Sequence, residues 1–392
     1  SFVAYPQAIK VTALNNSCTS NFDSCDKFVS AGSPFNMTAT AICADPSETK
    51  ASSYYSKDNI ALSLNLIAPL ADGVNGALNV ESVAINDSDI GAKTIMNQTI
   101  SEVGVFSISA QAPVYFAQTI NSSASENIGR FYPHHFDLSL PPANLQNTCT
   151  NFTYLDQDFF FASAPELTIE AKNADGLTTQ NYEGDFWKLG SLLDEQANCT
   201  ISSDTPGFCY TDNVSGVAAL IAPNADQSFG SVADINGLKV MTLHNQNFDA
   251  FRYARPLTNV LPFDADIQLD IALEDDDGVT GSAVLNRIGF ASDSNTSAVA
   301  FNTTNDEMLR HGRWKMKNAF GPETQNLAIQ AHAEYFSSRS KFEFNPDDNC
   351  TAFAASNISL NGANAHTIAM GSGNTTFSYN SPLGLNENEN FF

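Results

Sequence analysis

The sequence predicts an all-β protein made of tandem immunoglobulin-like β-sandwich modules, and three observations lead to this fold class. Short segments that alternate apolar and polar residues dominate the chain, as expected for strands with one buried face. Clusters of Asn, Asp, Gly and Ser separate these segments at short intervals. One group of segments recurs later in the chain in the same order. Many short strands with turn-rich connections are typical of β-sandwiches.

Alternation with a period of two residues identifies the predicted strands. In each segment, large apolar side chains occupy alternate positions and would share one face of a strand. The clearest segments are residues 8–14, 60–66, 105–110, 167–171, 267–271 and 327–331. The best candidate for a helix is residues 189–197, and this segment is short. The pattern therefore indicates a chain with almost no helix.

Internal similarity indicates that modules were duplicated. A Tyr-Pro dipeptide, a cysteine and a Leu-Ile-Ala-Pro segment each occur twice in matching order, at residues 5–6, 18 and 66–69 and again at residues 132–133, 149 and 220–223. Similarity that keeps its order over such a distance is typical of repeated units. The duplication predicts how the molecule is built and says less about what it binds.

A Gly-Arg-aromatic tripeptide marks the predicted module boundaries. It occurs at residues 129–131 and 312–314, each time at the head of a predicted strand. We therefore predict a sandwich module at residues 1–128, a second module with insertions at 129–308, and a third at 309–392. The third segment is short and ends in the polar, unpatterned residues 386–390, so we expect it to lack its last strands.

Composition excludes two classes of partner. Of the 392 residues, 18 are Lys or Arg and 43 are Asp or Glu, which gives a formal net charge of −25. This charge repels nucleic acids and anionic membranes. The chain also contains no run of apolar residues long enough to span a bilayer. The first residues include neither Met nor a signal-peptide pattern, so we expect a processed or trimmed end.

Seven cysteines, without the paired spacing of a metal site, predict disulfides and an oxidising compartment. Cys199 and Cys209 bracket a turn-forming segment, so they are the first candidate pair. Cys18 can pair with Cys25 or with Cys43, and spacing alone leaves both pairings open. The odd count leaves one thiol unpaired or joined to another chain.

Two acidic segments are candidate metal sites. In residues 274–278, Asp275 and Asp277 alternate before a Gly turn, an arrangement that could ligate Ca²⁺ between modules. The alternative is a solvated turn after the preceding strand, because the second half of an EF-hand loop is missing. Residues 347–350 are similarly ambiguous between a metal loop and an Asx-rich turn held by a disulfide.

Two other motifs have a simpler structural interpretation. His134 and His135 lie at the entry of a predicted strand, where adjacent side chains point to opposite faces. A shared metal would need a bend between them, so we expect ordinary packing. The aromatic run 159–161 is expected to straddle a strand and fill the core, the alternative being an exposed patch for a partner.

Patterns for catalysis are missing from the sequence. It contains no G-x-S-x-G nucleophile elbow between a strand and a helix, no HExxH zinc motif and no phosphate-binding glycine loop. Among 43 acidic residues, nothing singles out two carboxylates for glycoside hydrolysis. We therefore expect no enzymatic activity, no catalytic residue and no cofactor other than the calcium discussed above.

Five ordered segments resemble those of one family. Residues 129–136 resemble its GRFYPDHF signature, and residues 149–154 resemble the segment that follows it; further similarities are LTARNAAGGTTQNY at 167–182, RYGRLRLANAYGSE at 310–323 and DDSCT at 347–351. Together they resemble the MshQ family, large surface-associated proteins of the MSHA type IV pilus system of Gram-negative marine bacteria. His311 and Trp314 depart from the family pattern, and the first module matches it more loosely.

The resemblance implies a multi-module β-rich protein that is exported across the inner membrane and linked to pilus assembly or attachment. Family members often carry a lectin-like domain ahead of this region, so glycan binding would lie outside this chain. The first hypothesis is an extracellular, non-enzymatic stalk or adhesin region whose partners are pilus subunits or other surface proteins. The alternatives are a periplasmic or outer-membrane assembly factor and, more weakly, a secreted hydrolase with accessory sandwiches.

Overall fold

The structure is a computed structural model of the 392-residue chain. It describes residues 4–13, 18–56, 58–139, 145–161, 166–189, 207–212, 217–221, 229–231, 236–243, 250–265, 267–282, 286–289, 308–318, 320, 327–348, 350–351 and 375–379. Over these residues the chain is nearly all β, which confirms the predicted fold class. Helical structure in this part of the chain consists of two short 3-10 turns, Asp87–Asp89 and Gly184–Phe186.

The strands follow one another in three groups. The first group is β1 (Ala8–Ala13), β2 (Phe35–Ile42), β3 (Ile60–Ala68), β4 (Ser82–Val83), β5 (Ala92–Gln98), β6 (Gly104–Gln111), β7 (Ser123–Ala124) and β8 (Ile128–Phe131). The second is β9 (His135–Ser139), β10 (Leu145–Gln146), β11 (Thr153–Tyr154), β12 (Phe160–Phe161), β13 (Glu166–Lys172), β14 (Gly207–Asp212), β15 (Ala219–Ile221), β16 (Phe229–Ser231), β17 (Leu238–Leu243), β18 (Arg252–Ala254), β19 (Phe263–Asp264), β20 (Ile267–Ala272), β21 (Asn286–Gly289) and β22 (Met308–Arg310). The third is β23 (Gly312–Met316), β24 (Leu327–Phe336), β25 (Phe342–Phe344) and β26 (Thr375–Tyr379).

The first group forms two sheets that enclose one core. One sheet has the order β1-β2-β5; the other has the order β4-β3-β6-β7, with β8 also pairing with β6. Alternate residues of both sheets meet in a single buried cluster, to which Ile9 and Met37 contribute from one sheet and Leu62 and Ile108 from the other. This is the arrangement that period-2 alternation predicts for a sandwich.

The second group repeats the pairings of the first. β9, β13 and β17 adjoin in the same order as β1, β2 and β5, and β14 pairs with β20 as β3 pairs with β6. The Tyr-Pro dipeptides at 5–6 and 132–133 precede the corresponding strands β1 and β9. Immunoglobulin sandwiches arrange strands A, B, E and C, F in this order, and the immunoglobulin-like assignment stays a prediction. Residues 222–223 of the repeated segment lie outside the described residues.

Two strands lie across the predicted module boundaries. β8 contains the first Gly-Arg-aromatic tripeptide and completes the sheet of the first module, with Phe131 opposite Gly104. β22 pairs with β11 and β19 of the second group, although the boundary was predicted after residue 308. The second tripeptide lies in β23, which begins the third sheet. At each junction, the strand that crosses the predicted boundary is therefore paired with strands of the preceding module.

The third group forms one sheet with the order β23-β24-β25, and β26 also pairs with β24. The predicted absence of its last strands stays a prediction, because residues 352–374 and 380–392 lie outside the described residues. So do residues 190–197 of the predicted helix. Among the described residues, no helix has the length and apolar character that crossing a membrane requires.

Disulfides fix two loops. Cys18 is joined to Cys25, one of the two pairings that spacing left open, and Cys43 is free. A second disulfide joins Cys149 to Cys350, which are 201 residues apart and belong to different modules. Cys209 is also disulfide-bonded, while its predicted partner at position 199 lies outside the described residues. The long-range bridge ties the third module to the second.

Removal of the long-range bridge should lower the stability of the chain. The double substitution C149S/C350S releases a loop whose closure is worth about 5 kcal/mol in the chain-entropy account. We expect a lower denaturant midpoint for unfolding under non-reducing conditions. C43S changes the free cysteine and should leave the midpoint unchanged. Equal midpoints for the wild type and the double variant, or no linked Cys149–Cys350 peptide in a non-reducing digest, would contradict the assignment.

Candidate functional site at the module junctions

A buried carboxyl group joins the first module to the second. Glu102 is 6% exposed, and its two oxygens accept hydrogen bonds from the backbone N–H groups of Gln180 (3.1 Å) and Asn181 (3.2 Å). The Asn181 side chain reaches back, donating to the carbonyls of Val74 and Val103 and accepting from the Val74 N–H at 2.7 Å. Burial raises the pKa of Glu102, and the backbone donors act against that rise.

The turn before Asn181 continues this junction. Asn173 donates from its side chain to the carbonyl of Ser101 at 3.0 Å, and the N–H of Ala174 donates to the carbonyl of Ala31 at 2.9 Å. Gly32 has a φ of +78°, and a Cβ on it would lie 2.9 Å from the Ala174 nitrogen. Only glycine allows this approach. Residues 173–182, which resemble one of the family motifs, therefore form the docking edge of the second module.

Arg130 forms the charged centre of the first junction. Its guanidinium binds both oxygens of Asp277 at 2.5 Å, and the two side chains are only 7% and 9% exposed. Its Nε also donates to the carbonyl of Cys25 at 3.0 Å. Hydrogen bonding to Asp277 raises the pKa of Arg130. The disulfide loop, the last strand of the first module and the acidic turn of the second thus meet at one cation.

The predicted calcium ligands have protein partners in this structure. Asp277 faces Arg130, whereas Asp275 accepts a hydrogen bond from the hydroxyl of Tyr182 at 2.7 Å and from the backbone N–H of Val279 at 2.8 Å. Burial raises the pKa of Asp275. The side chains of Asp275 and Asp277 are thus held by the protein, whereas Glu274, Asp276 and Gly278 of the same turn are exposed. The guanidinium of Arg130 supplies a positive charge to Asp277, and the calcium site stays a prediction.

The second junction repeats this arrangement. Arg310 donates to Asn345 at 2.7 Å and to Asp347 at 2.9 Å. Its guanidinium carbon lies 4.4 Å from the ring centre of Phe152 and 4.7 Å from that of Tyr335. Cation–π contacts of this kind add to the charge-assisted hydrogen bonds. The acidic segment 347–350, the other candidate metal loop, therefore also binds an arginine from the junction strand.

A tyrosine hydroxyl accompanies the arginine at both junctions. Tyr154 donates to Asp348 at 3.0 Å and accepts from the Asn345 amide at 2.7 Å. At the first junction, Tyr182 likewise donates to an aspartate, Asp275. A Cβ on Gly312 would lie 2.3 Å from the Tyr154 ring, so the second Gly-Arg-aromatic tripeptide needs its glycine here. Among the described residues, the group with metal-ligand proximity is Cys149, Asp348 and Cys350, and its two sulfurs form the disulfide.

Apolar packing also crosses the first junction. Ala31, Val103 and Val105 of the first module belong to the same buried cluster as Phe136 and Ile169 of the second. In the aromatic run, Phe159 is fully buried and Phe161 is 3% exposed, as core packing predicts. Sequence reasoning missed the junction residues, because an isolated buried Glu or Asn carries no local signal. The resemblance of residues 167–182 to a family segment was the available indication.

An open cleft lies beside the first junction. It has a volume of about 590 Å³ and is lined by residues 21–23, 67–72 and 183–186. The lining includes four acidic residues, Asp23, Asp72, Glu183 and Asp185, and the Lys188 ammonium lies 3.8 Å from Asp23. This charge disfavours anionic ligands. The cleft exists only because both modules are held in place.

His311 is buried next to the second junction. Its Nε2 accepts a hydrogen bond from the Nε of Arg255 at 3.1 Å, and its buried Nδ1 has no hydrogen-bond partner among the described residues. Burial, followed by the charge of Arg255, lowers the pKa of His311. The imidazole is therefore held neutral in the folded chain.

These features define a multi-domain β-protein whose modules are joined by buried polar contacts. Residues 5–96 match the second domain of the DUF6701 family, residues 102–305 its third domain and residues 310–388 its fourth. The chain belongs to the DUF6701 family. No curated protein matches it.

Substitution of Arg130 tests the first junction. R130M leaves Asp277 buried without its counter-charge, so we expect a loss of about 3–5 kcal/mol in the free energy of unfolding. R130M/D277L removes both charges and should recover much of this loss. R339M removes an exposed pair with Glu343 and should cost at most about 1 kcal/mol. An R130M variant as stable as R339M in urea unfolding would show that the buried pair is not needed.

Protonation of the buried His311 should lower the free energy of unfolding as the pH falls. Its folded-state pKa lies below the ordinary value of 6.5, so its contribution is complete above that pH and is lost as the pH falls through this range. The unfolded chain then binds more protons, and the slope for one proton is at most about 1.4 kcal/mol per pH unit. H311Q should show a shallower dependence between pH 7 and 5 in thermal melts. Parallel curves for the wild type and H311Q would contradict this role.

Proposed function

We propose that the chain is a non-enzymatic, extracellular stalk or adhesin region of a pilus-associated surface protein, similar to MshQ. The observation that carries this proposal is the pair of module junctions, each with a buried arginine on an acidic turn. Such contacts hold successive modules in a fixed orientation. A stalk needs this property, because flexible joints would not keep a terminal binding module away from the envelope.

Resistance to load supports the same function. The Cys149–Cys350 disulfide and the apolar cluster that crosses the first junction both oppose separation of neighbouring modules. A disulfide that closes a long loop limits extension of the chain even after local unfolding. Disulfides also favour an oxidising location, in keeping with the proposal of export to the cell surface or extracellular space.

The use of the buried carboxylates favours a structural role. Glu102, Asp275 and Asp277 all accept hydrogen bonds from groups that join elements of the fold. None of these three residues belongs to the cleft lining described above. Partners would then be pilus subunits or other surface proteins, with any glycan binding carried by a domain outside this chain.

A pilus assembly factor in the periplasm or outer membrane is the second candidate. One observation favours it: β5 lies at the end of the sheet β1-β2-β5 and has a single strand partner among the described residues. An open strand edge can accept an extended segment of another chain. Met96 of this strand is 62% exposed, so its outer face is also available for contact.

Localisation separates the two functions. The full-length protein with an epitope in an exposed loop should be labelled on intact cells and recovered with sheared filaments. A periplasmic marker protein, labelled only after the outer membrane is permeabilised, serves as the control. Labelling that needs permeabilisation, with no protein in the sheared fraction, would reject the stalk and support the assembly factor. Turnover of polysaccharides that is lost on substitution of a single Asp or Glu would instead support a hydrolase.

Loss of the buried amide at the first junction should make the stalk flexible. N181A removes the side-chain contacts to Val74 and Val103 and leaves buried backbone groups unpaired, at a cost of about 1–3 kcal/mol each. We expect a broader distribution of distances in small-angle scattering and faster proteolysis between the modules. N65A alters an exposed amide of β3 that contacts Ser109 and is the matched control. Identical scattering from wild type and N181A would count against a rigid junction.

A further inference from the structure

Two histidine side chains converge where the second module begins. The Nδ1 atoms of His134 and His135 are 3.0 Å apart, and the two rings are nearly perpendicular at 88°. Adjacent residues of a regular strand would point to opposite faces. Here β9 begins only at His135, and the chain bends at His134, whose N–H donates to the carbonyl of Lys172 at 2.7 Å. The bend that a shared ligand requires is therefore present.

We propose that His134 and His135 bind a divalent transition-metal ion of the zinc and copper class through their Nδ1 atoms. Zinc holds histidine nitrogens at about 2.0–2.1 Å, which places two tetrahedral nitrogens about 3.3 Å apart. Adjacent nitrogens in a square-planar copper site lie about 2.8 Å apart. The observed 3.0 Å falls between these two values, so small rotations of the rings meet either geometry.

The far nitrogen of His135 faces a carboxylate. Its Nε2 lies 3.6 Å from an oxygen of Asp137, a contact longer than a hydrogen bond. A carboxylate on this side favours the tautomer with the ring proton on Nε2, which leaves the Nδ1 lone pair free for a metal.

The neighbouring charges permit a cation. The strand register places Lys172 opposite His135 and Glu170 opposite Asp137. The Lys172 ammonium lies 2.7 Å from a Glu170 oxygen, and the Thr178 hydroxyl also donates to Glu170. The lysine therefore has a carboxylate partner of its own. The register also places Glu170 and Asp137, two carboxylates, beside Lys172 and His135 on neighbouring strands.

Two histidine ligands leave part of the coordination shell of the metal open. In the metal-free protein one Nδ1 carries the proton of the hydrogen bond between the two rings, and metal binding moves that proton, through solvent, to the Nε2 of the same ring. Two protein ligands leave the remaining coordination positions to water or to donor groups of a second molecule. His134 is exposed and His135 half-buried, so another protein or a small chelating ligand can reach the metal. Neither histidine belongs to the lining of the cleft.

Calorimetry with zinc alone on the tag-free full chain tests the site. We expect one zinc ion per chain, with at least a tenfold weaker affinity for H134A and for H135A. D137N should weaken binding by a smaller factor, because it affects only the orientation and basicity of His135. H332A removes a histidine that contacts Glu334 elsewhere and should bind as the wild type does. Thermal melts without metal establish that each variant is folded.

Copper supplies a second readout that does not depend on affinity. The electron paramagnetic resonance spectrum of the Cu²⁺-loaded chain should show two coordinated nitrogens, and the H134A/H135A variant should lose this signature. Absence of zinc binding at millimolar concentration would overturn the proposal. Wild-type zinc affinity in a folded H134A/H135A variant would also overturn it, because the metal would then lie elsewhere. Neither result bears on the stalk function, which rests on the junctions.

Discussion

Burial of the Arg130 guanidinium between the first two modules is the interaction on which the rest of the arrangement depends. A charged group removed from water is tolerated only with a matched counter-charge and satisfied hydrogen bonds. Asp277 and the Cys25 carbonyl meet that requirement, and they come from different parts of the chain. The disulfide loop, β8 and the acidic turn must therefore adopt fixed positions together. The cleft and the docking edge around Asn181 follow from those positions.

The second junction meets the same requirement with different residues. Arg310 replaces Arg130, and the adjacent pair Asp347 and Asp348 replaces two aspartates separated by one residue. A tyrosine hydroxyl satisfies the second carboxylate in both cases. At both junctions an arginine binds an acidic turn, but the spacing of the aspartates in the sequence differs. Contacts of this kind fix the orientation of each module relative to the next. The proposed stalk function rests on this property of the junctions.

Local patterns predicted local structure well. Alternation at residues 60–66 and 105–110 identified β3 and β6, because the period of two is set by a strand with one buried face. The tripeptide at residues 129–131 lies in β8, whose Arg130 binds Asp277 of the second module. It did not reveal that its strand completes the preceding sheet, since strand partners depend on long-range pairing. The side chains of His134 and His135 were expected to point to opposite faces of a strand. A bend at His134 instead brings their Nδ1 atoms together.

The sequence by itself determined the all-β class, the repeated modules and the acidic turns, because these follow from periodicity and from residue type over short distances. Only the tertiary structure decided what the acidic turns bind. Asp277 is 147 residues from Arg130, and Cys149 is 201 residues from Cys350. Spacing of this length carries no information about contact, since any loop of that size can close at similar entropic cost. The contact between Arg130 and Asp277 was therefore fixed by packing between modules.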